Sequence, residues 1–218
     1  MKKIILTVLV AISVMACKVD DKNKVKATDA KEVNETINAN SSEAEVYNVM
    51  TDTSILTWKG FKPTESHNGT VGITRGNMMV ANDMIVGGKF MIDMNSIVCL
   101  DMPADDKYNA KLIGHLKAAD FFDVENFPTA TFKLTEVVKE GTKINVSGNL
   151  TLKGITKNIT IPASFVSENG FVSFKSDVFK IDRTEFGIEY KSTKLVDIIK
   201  DKSIDDLIEM SFNVLAKK

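Results

Sequence analysis

Between Ile144 and Lys153 the chain alternates without a break. Ile144, Val146, Gly148, Leu150 and Leu152 fall on one face, and Asn145, Ser147, Asn149, Thr151 and Lys153 on the other. A period of two is the pleat of a β-strand with one side on a core and one in water. The pattern returns at Ala130, Phe132 and Leu134, at Ile159, Ile161, Ala163 and Phe165, and at Val172, Phe174, Ser176 and Val178. Glu140-Gly141 and Asn169-Gly170 punctuate these runs with turn dipeptides. Tight turns between consecutive strands imply an antiparallel meander of roughly eight or nine strands. Closing such a sheet into a barrel removes its exposed edges. At about eight strands the interior is either filled by side chains or holds one elongated ligand.

One stretch departs from this period. Asp105-Asp106-Lys107-Tyr108 leads into Ala110–Phe122, with Leu112, Leu116 and Ala119 at helical spacing. The aspartates are suited to capping its start, so one short helix is expected between strands. The N-terminal part is different again. Lys2 and Lys3 precede an uncharged run from Ile4 to Val14, as in a secretory signal too short to span a membrane. Val14-Met15-Ala16-Cys17 resembles a bacterial lipobox, which makes Cys17 the expected lipidation site and residues 1–17 the signal peptide. From residue 18 to 45 the composition is polar and lacks aromatic residues until Tyr47, which reads as a flexible polar tether. The barrel domain is then 46–218. Net charge is −1, so no nucleic-acid footprint is expected.

Three runs carry a resemblance. Residues 114–132, from Gly114-His115-Leu116 through Asp120-Phe121-Phe122-Asp123 to Phe127-Pro128 and Phe132, are similar to a characteristic run of the YceI-like family. Val146-Ser147-Gly148-Asn149-Leu150-Thr151-Leu152-Lys153-Gly154-Ile155-Thr156-Lys157 resembles its second element, and Asp182-Arg183-Thr184-Glu185-Phe186-Gly187 its third. The resemblance covers about residues 46–216. Ser54–Phe61 and Ser66–Gly72 depart from the family's first strands, although His67 and the glycines are similar. The resemblance implies an all-β fold, an extended antiparallel eight-stranded lipocalin-like β-barrel with one short inserted helix. It further implies a secreted or periplasmic protein that holds an isoprenoid-like or fatty amphiphilic ligand inside the barrel. Candidate ligand-binding residues are Trp58, Phe61, His67, Phe90, His115, Phe132, Leu150, Leu152, Phe165, Phe174 and Phe186.

Chemistry is sparse. His67 and His115 are the two histidines, and Cys17 and Cys99 the two cysteines. No spaced metal motif, nucleophile elbow or phosphate loop occurs, so no catalytic residue, metal or cofactor is expected. Cys99, within Ser96-Ile97-Val98-Cys99-Leu100, reads as a small buried hydrophobe. His115 reads either as a head-group donor or as a cap on a backbone carbonyl. Arg183, if buried, needs a carboxylate, with Asp182 and Glu185 near in sequence. The expected partners are the apolar ligand and, through the N-terminal anchor, the outer membrane. Pairing with a second copy stays open. The competing expectation is a non-enzymatic interaction or stress module that uses the barrel as a scaffold, marked by an exposed apolar patch and no cavity.

Overall fold

The computed structural model describes residues 22–33, 44–192, 194 and 202–218. The signal segment 1–17, Cys17 and part of the tether lie outside the described residues. The strands are β1 (Thr28–Asp29), β2 (Glu45–Val49), β3 (Ile55–Phe61), β4 (Ser66–Ala81), β5 (Met84–Cys99), β6 (Thr129–Glu140), β7 (Lys143–Leu152), β8 (Ile155–Glu168), β9 (Phe171–Ser176), β10 (Phe179–Asp182) and β11 (Leu207–Lys217). One helix, α1 (Lys107–Lys117), follows β5, and a 3-10 turn (Arg183–Phe186) follows β10.

Pairing runs β3-β4-β5-β6-β7-β8-β9-β11 and returns to β3, an antiparallel ring of eight strands. Two of the eight positions are broken. β2 continues the place of β3 along the far halves of β4 and β11, and β10 leaves β9 to pair with the start of β11. The alternating runs build the inner wall, because Ile144, Val146, Leu152, Ile159, Ile161, Val172 and Phe174 are all buried. The turns obey the same logic. Asn169 and Gly170 have φ of 53° and 79°, and Lys153 and Gly154 have 48° and 76°. Two successive left-handed residues match the strand twist of a hairpin. A Cβ on Gly154 would also lie 2.6 Å from the Phe127 ring, so this turn doubles as the seat of that aromatic.

The helix starts where the aspartates place it. The Asp106 side chain accepts from Tyr108 N at 2.7 Å. It ends at Lys117, earlier than the apolar spacing implies, because residues 118–127 fold into successive turns. Phe122 N donates to Leu116 O and Asp123 N to Ala118 O, which turns the Phe121-Phe122 pair back over the barrel.

Residues 22–33 differ most from a free tether. Where β10 departs from β9, the first half of β8 keeps β7 on one edge but has no β9 on the other, and this segment crosses the seam. Val25 N donates to Lys180 O and Lys180 N to Asn23 O, each at 2.9 Å. Thr28 and Asp29 pair with Asn158 and Lys157 of β8. Asn149 then brackets the Lys31 backbone, accepting from its N–H at 3.0 Å and donating to its carbonyl at 2.7 Å.

Asp182 anchors the strap. Its carboxylate, 3% exposed, receives Lys24 Nζ at 3.1 Å, the Lys194 ammonium, and both N–H and Oγ1 of Thr184. Burial alone raises its pKa, but the hydrogen bonds from Lys194, Thr184 and Lys24 outweigh this and hold it at about 2. A carboxyl lowered from 3.8 contributes stability that is present above that value and lost as pH falls through about 2. Asp182→Asn is therefore expected to lower Tm at pH 6, with the gap to the parent closing between pH 4 and 2. A gap of constant size in a pH series of melting curves would contradict this.

Candidate functional site: an apolar cavity inside the barrel

The inward faces of the ring do not meet. A cavity of about 150 Å³ remains. Leu56 and Trp58 from β3, Val71 and Ile73 from β4, and Phe90, Ile92, Met94 and Ile97 from β5 form one side. Phe132, Leu150, Leu152, Ile159 and Ile161 continue it across β6 to β8. Phe174, Phe212 and Val214 close the circle, with the Phe174 ring stacked on Phe90 at 6.1 Å and tilted against Phe212 at 4.6 Å. Leu116, Phe121 and Phe122 roof one end.

The small residues set the shape. A Cβ on Gly148 would fall 2.3 Å from Cζ of Phe132, so this ring lies flat across a bare strand and leaves the lumen open. Gly60 faces the lumen on β3, and a Cβ there meets nothing within 4 Å.

Among the described residues, two ionisable ones border the cavity, Arg183 and Asp205, and both are committed elsewhere. The Arg183 guanidinium is 0% exposed and donates to the carbonyls of Asp205 (3.1 Å), Ile188 (2.7 Å) and Ile204 (3.0 Å). Its Nη2 lies 3.1 Å from Asp206 Oδ1, so its carboxylate partner is Asp206 and not the sequence neighbours Asp182 or Glu185. The group also sits 5.7 Å above the Phe121 ring. Asp205 caps the start of β11 by accepting from Leu207 N at 2.8 Å, and burial pushes its carboxyl up.

Of the sequence candidates, Trp58, Phe90, Phe132, Leu150, Leu152 and Phe174 lie together on the cavity wall. Phe61, His67, His115, Phe165 and Phe186 do not. Phe61 has the opposite parity to Leu56, Trp58 and Gly60, and it lies beneath Lys59 Nζ at 5.1 Å. His115 stands behind the roof, 4.6 Å from the Tyr190 ring and 5.7 Å from Phe121, with Nε2 buried and without a hydrogen-bond partner among the described residues. Phe165 is half-buried in the second half of β8, and Phe186 is buried in the 3-10 turn after the chain leaves the wall. His67 lies at the rim, its Nδ1 2.8 Å from Asp101 Oδ2. Sequence reading missed Met94, Ile97, Met210 and Phe212, which only strand pairing shows to face inward.

Trp58 has one further property. Its Nε1 is buried and has no hydrogen-bond partner among the described residues, although indole N–H groups ordinarily find one when buried.

A ring of eight antiparallel strands around an apolar lumen defines a small antiparallel β-barrel with an open interior. Residues 35–216 match the YceI-like domain, and the chain belongs to that family. A YceI protein of Salmonella arizonae is 39% identical over 71 residues, which is 33% of this chain and 37% of that protein. The chain thus aligns with little more than a third of the length of such curated relatives. Among solved structures, BcnA of Burkholderia cenocepacia is similar with a TM-score of 0.63 at 20% identity, covering 78% of this chain and 99% of that one. A polyisoprenoid binding domain from Saccharophagus degradans, implicated in plant cell wall breakdown, gives a TM-score of 0.55 at 14% identity, covering 78% and 97%. These structural likenesses concern the fold.

Proposed function

We propose that this protein is a non-catalytic cell-envelope carrier that holds an isoprenoid-like or other amphiphilic lipid in its barrel, tethered to the outer membrane through lipidated Cys17. The observation that carries the reading is the continuous apolar wall from Phe121 and Phe122 at the roof to Phe174 and Val214. Such a lumen favours a chain without polar groups, because each buried methylene contributes about 0.8 kcal/mol and needs no directional partner. One five-carbon isoprene unit is then worth roughly 4 kcal/mol before ordering costs. The polyisoprenoid-binding relative of the same fold supports the ligand class.

Native mass spectrometry on the protein purified from the envelope without detergent tests the proposal. One stoichiometric adduct of several hundred daltons, extractable into organic solvent, is the expected result. A clean mass that stays clean after incubation with envelope lipids would remove the carrier reading and leave the scaffold reading.

A further inference from the structure

We propose that His67, Cys99 and Asp101 form a metal site at the rim of the barrel, taking a divalent ion of the zinc class through an imidazole nitrogen, a thiolate sulfur and a carboxylate oxygen. Ligand atoms from these three residues lie within 4.8 Å of one another. This site goes beyond the lipid-carrier reading and does not depend on it.

The ladder brings the residues together. Gly69 of β4 pairs with Cys99 of β5, which sets His67, two residues before Gly69, beside Asp101, two residues after Cys99. The loop is then fixed by its own backbone. Leu100 N donates to Asn68 O at 2.9 Å, and Asn68 N donates to Asp101 Oδ1 at 2.8 Å. Asn109 of α1 holds the following turn through the carbonyls of Met102 (3.0 Å) and Pro103 (3.1 Å). The donors therefore sit on a rigid frame, which limits the ordering cost of binding.

Asp101 stands between the other two, with Oδ2 at 2.8 Å from His67 Nδ1 and Oδ1 at 3.1 Å from Cys99 Sγ. That order excludes a nucleophilic triad, in which the imidazole must stand between thiol and acid. Burial and the neighbouring carboxylate also push the Cys99 thiol up, against nucleophilic use of the free sulfur. The same convergence suits a cation. Zinc bonds of about 2.0–2.3 Å to N, O and S place ligand atoms some 3.3–3.8 Å apart, so donors that lie within 4.8 Å of one another reach that spacing by shifts of about an ångström. Glu65 Oε2 lies 3.9 Å from the remote nitrogen Nε2, longer than a hydrogen bond, with Glu65 itself held by Lys62 at 2.6 Å. Closing that gap to a hydrogen bond on metal binding would orient the ring and raise its basicity. His67 and Asp101 are 22% and 26% exposed, which leaves an entry path and a fourth position for water. On binding, the Cys99 S–H bond breaks, the sulfur keeps the electron pair and donates it to the metal, and the proton passes to solvent.

The test is a Co²⁺ titration of the full chain carrying Cys17→Ser, which leaves Cys99 as its one thiol. The expected result is a thiolate-to-cobalt charge-transfer band in the near ultraviolet, saturating at one equivalent and abolished by one equivalent of Zn²⁺. Cys99→Ser is expected to lose the band, and His67→Ala to weaken binding at least tenfold. Glu65→Gln, which removes no ligand, is expected to keep the band with affinity reduced about tenfold. Circular dichroism of each variant reports folding separately. A spectrum unchanged by excess Co²⁺, or a band that survives Cys99→Ser, would overturn the site. Neither result bears on whether lipid occupies the barrel.

Discussion

Arg183→Met is expected to lower stability by about 3–5 kcal/mol, the usual cost of stripping one partner from a buried ion pair. In a domain of this size, that is a fall in Tm of roughly 6–20 °C. The magnitude follows from what the guanidinium holds. It is 0% exposed and satisfies three backbone carbonyls besides facing Asp206, so methionine leaves a buried carboxylate and three acceptors unpaired. Ser192 Oγ still donates to Asp206 Oδ2 at 2.9 Å, which keeps one oxygen paired. The double variant Arg183→Met/Asp206→Leu removes the stranded charge and is expected to recover part of the loss. Full recovery is not expected, because the carbonyls of Ile188, Ile204 and Asp205 stay unpaired. A single variant within about 1 kcal/mol of the parent in chemical denaturation would show that the knot contributes little.

This knot also shows where sequence reading stops. Alternation is a local property, and the eight-stranded ring followed from it because each strand carries its own in-out pattern. The motif at residues 182–187 was visible, and so was the need for a carboxylate beside a buried arginine. Which carboxylate could not be read, since Asp206 reaches Arg183 only through the pairing of β10 with β11. Parity carries the same lesson at the cavity. Trp58 and Phe61 were both candidates for the wall, yet residues three apart on a strand face opposite sides, so one of them had to point out. Helical and broken segments hide their direction further: Phe186 lies in the 3-10 turn, beyond the reach of any period-two argument. The strap was hidden for another reason. Its contacts to Lys180 and Asn158 are mostly backbone hydrogen bonds, which any polar sequence can make, so composition records nothing of them. The rim cluster joins residues far apart in the chain through one register pair, Gly69 with Cys99.

Gly60→Phe is expected to abolish lipid retention while leaving the fold intact. Gly60 belongs to the inward-facing row of Leu56 and Trp58, and the space ahead of it is free for at least 4 Å. A phenylalanine therefore enters the lumen without displacing backbone. On the strand itself the change is favourable, because aromatic residues suit a pleated, half-buried surface better than glycine does. The ring takes up the volume of roughly four ligand methylenes. At about 0.8 kcal/mol each, their loss weakens binding by about 3 kcal/mol, or roughly 100-fold. The control is a substitution on the opposite face of the same strand. Lys59→Phe adds the same ring outside the barrel, beside Phe61, and is expected to keep the ligand. Both variants would be purified from the envelope and compared with the parent by the mass of the co-purifying ligand and by Tm. Loss of the adduct in Gly60→Phe alone, at unchanged or raised Tm, places the ligand in the lumen. Retention of the adduct by a folded Gly60→Phe protein would move the binding site outside the barrel and redirect attention to the surface pocket, between Thr57, Lys59 and Ser211, that Trp58 also borders.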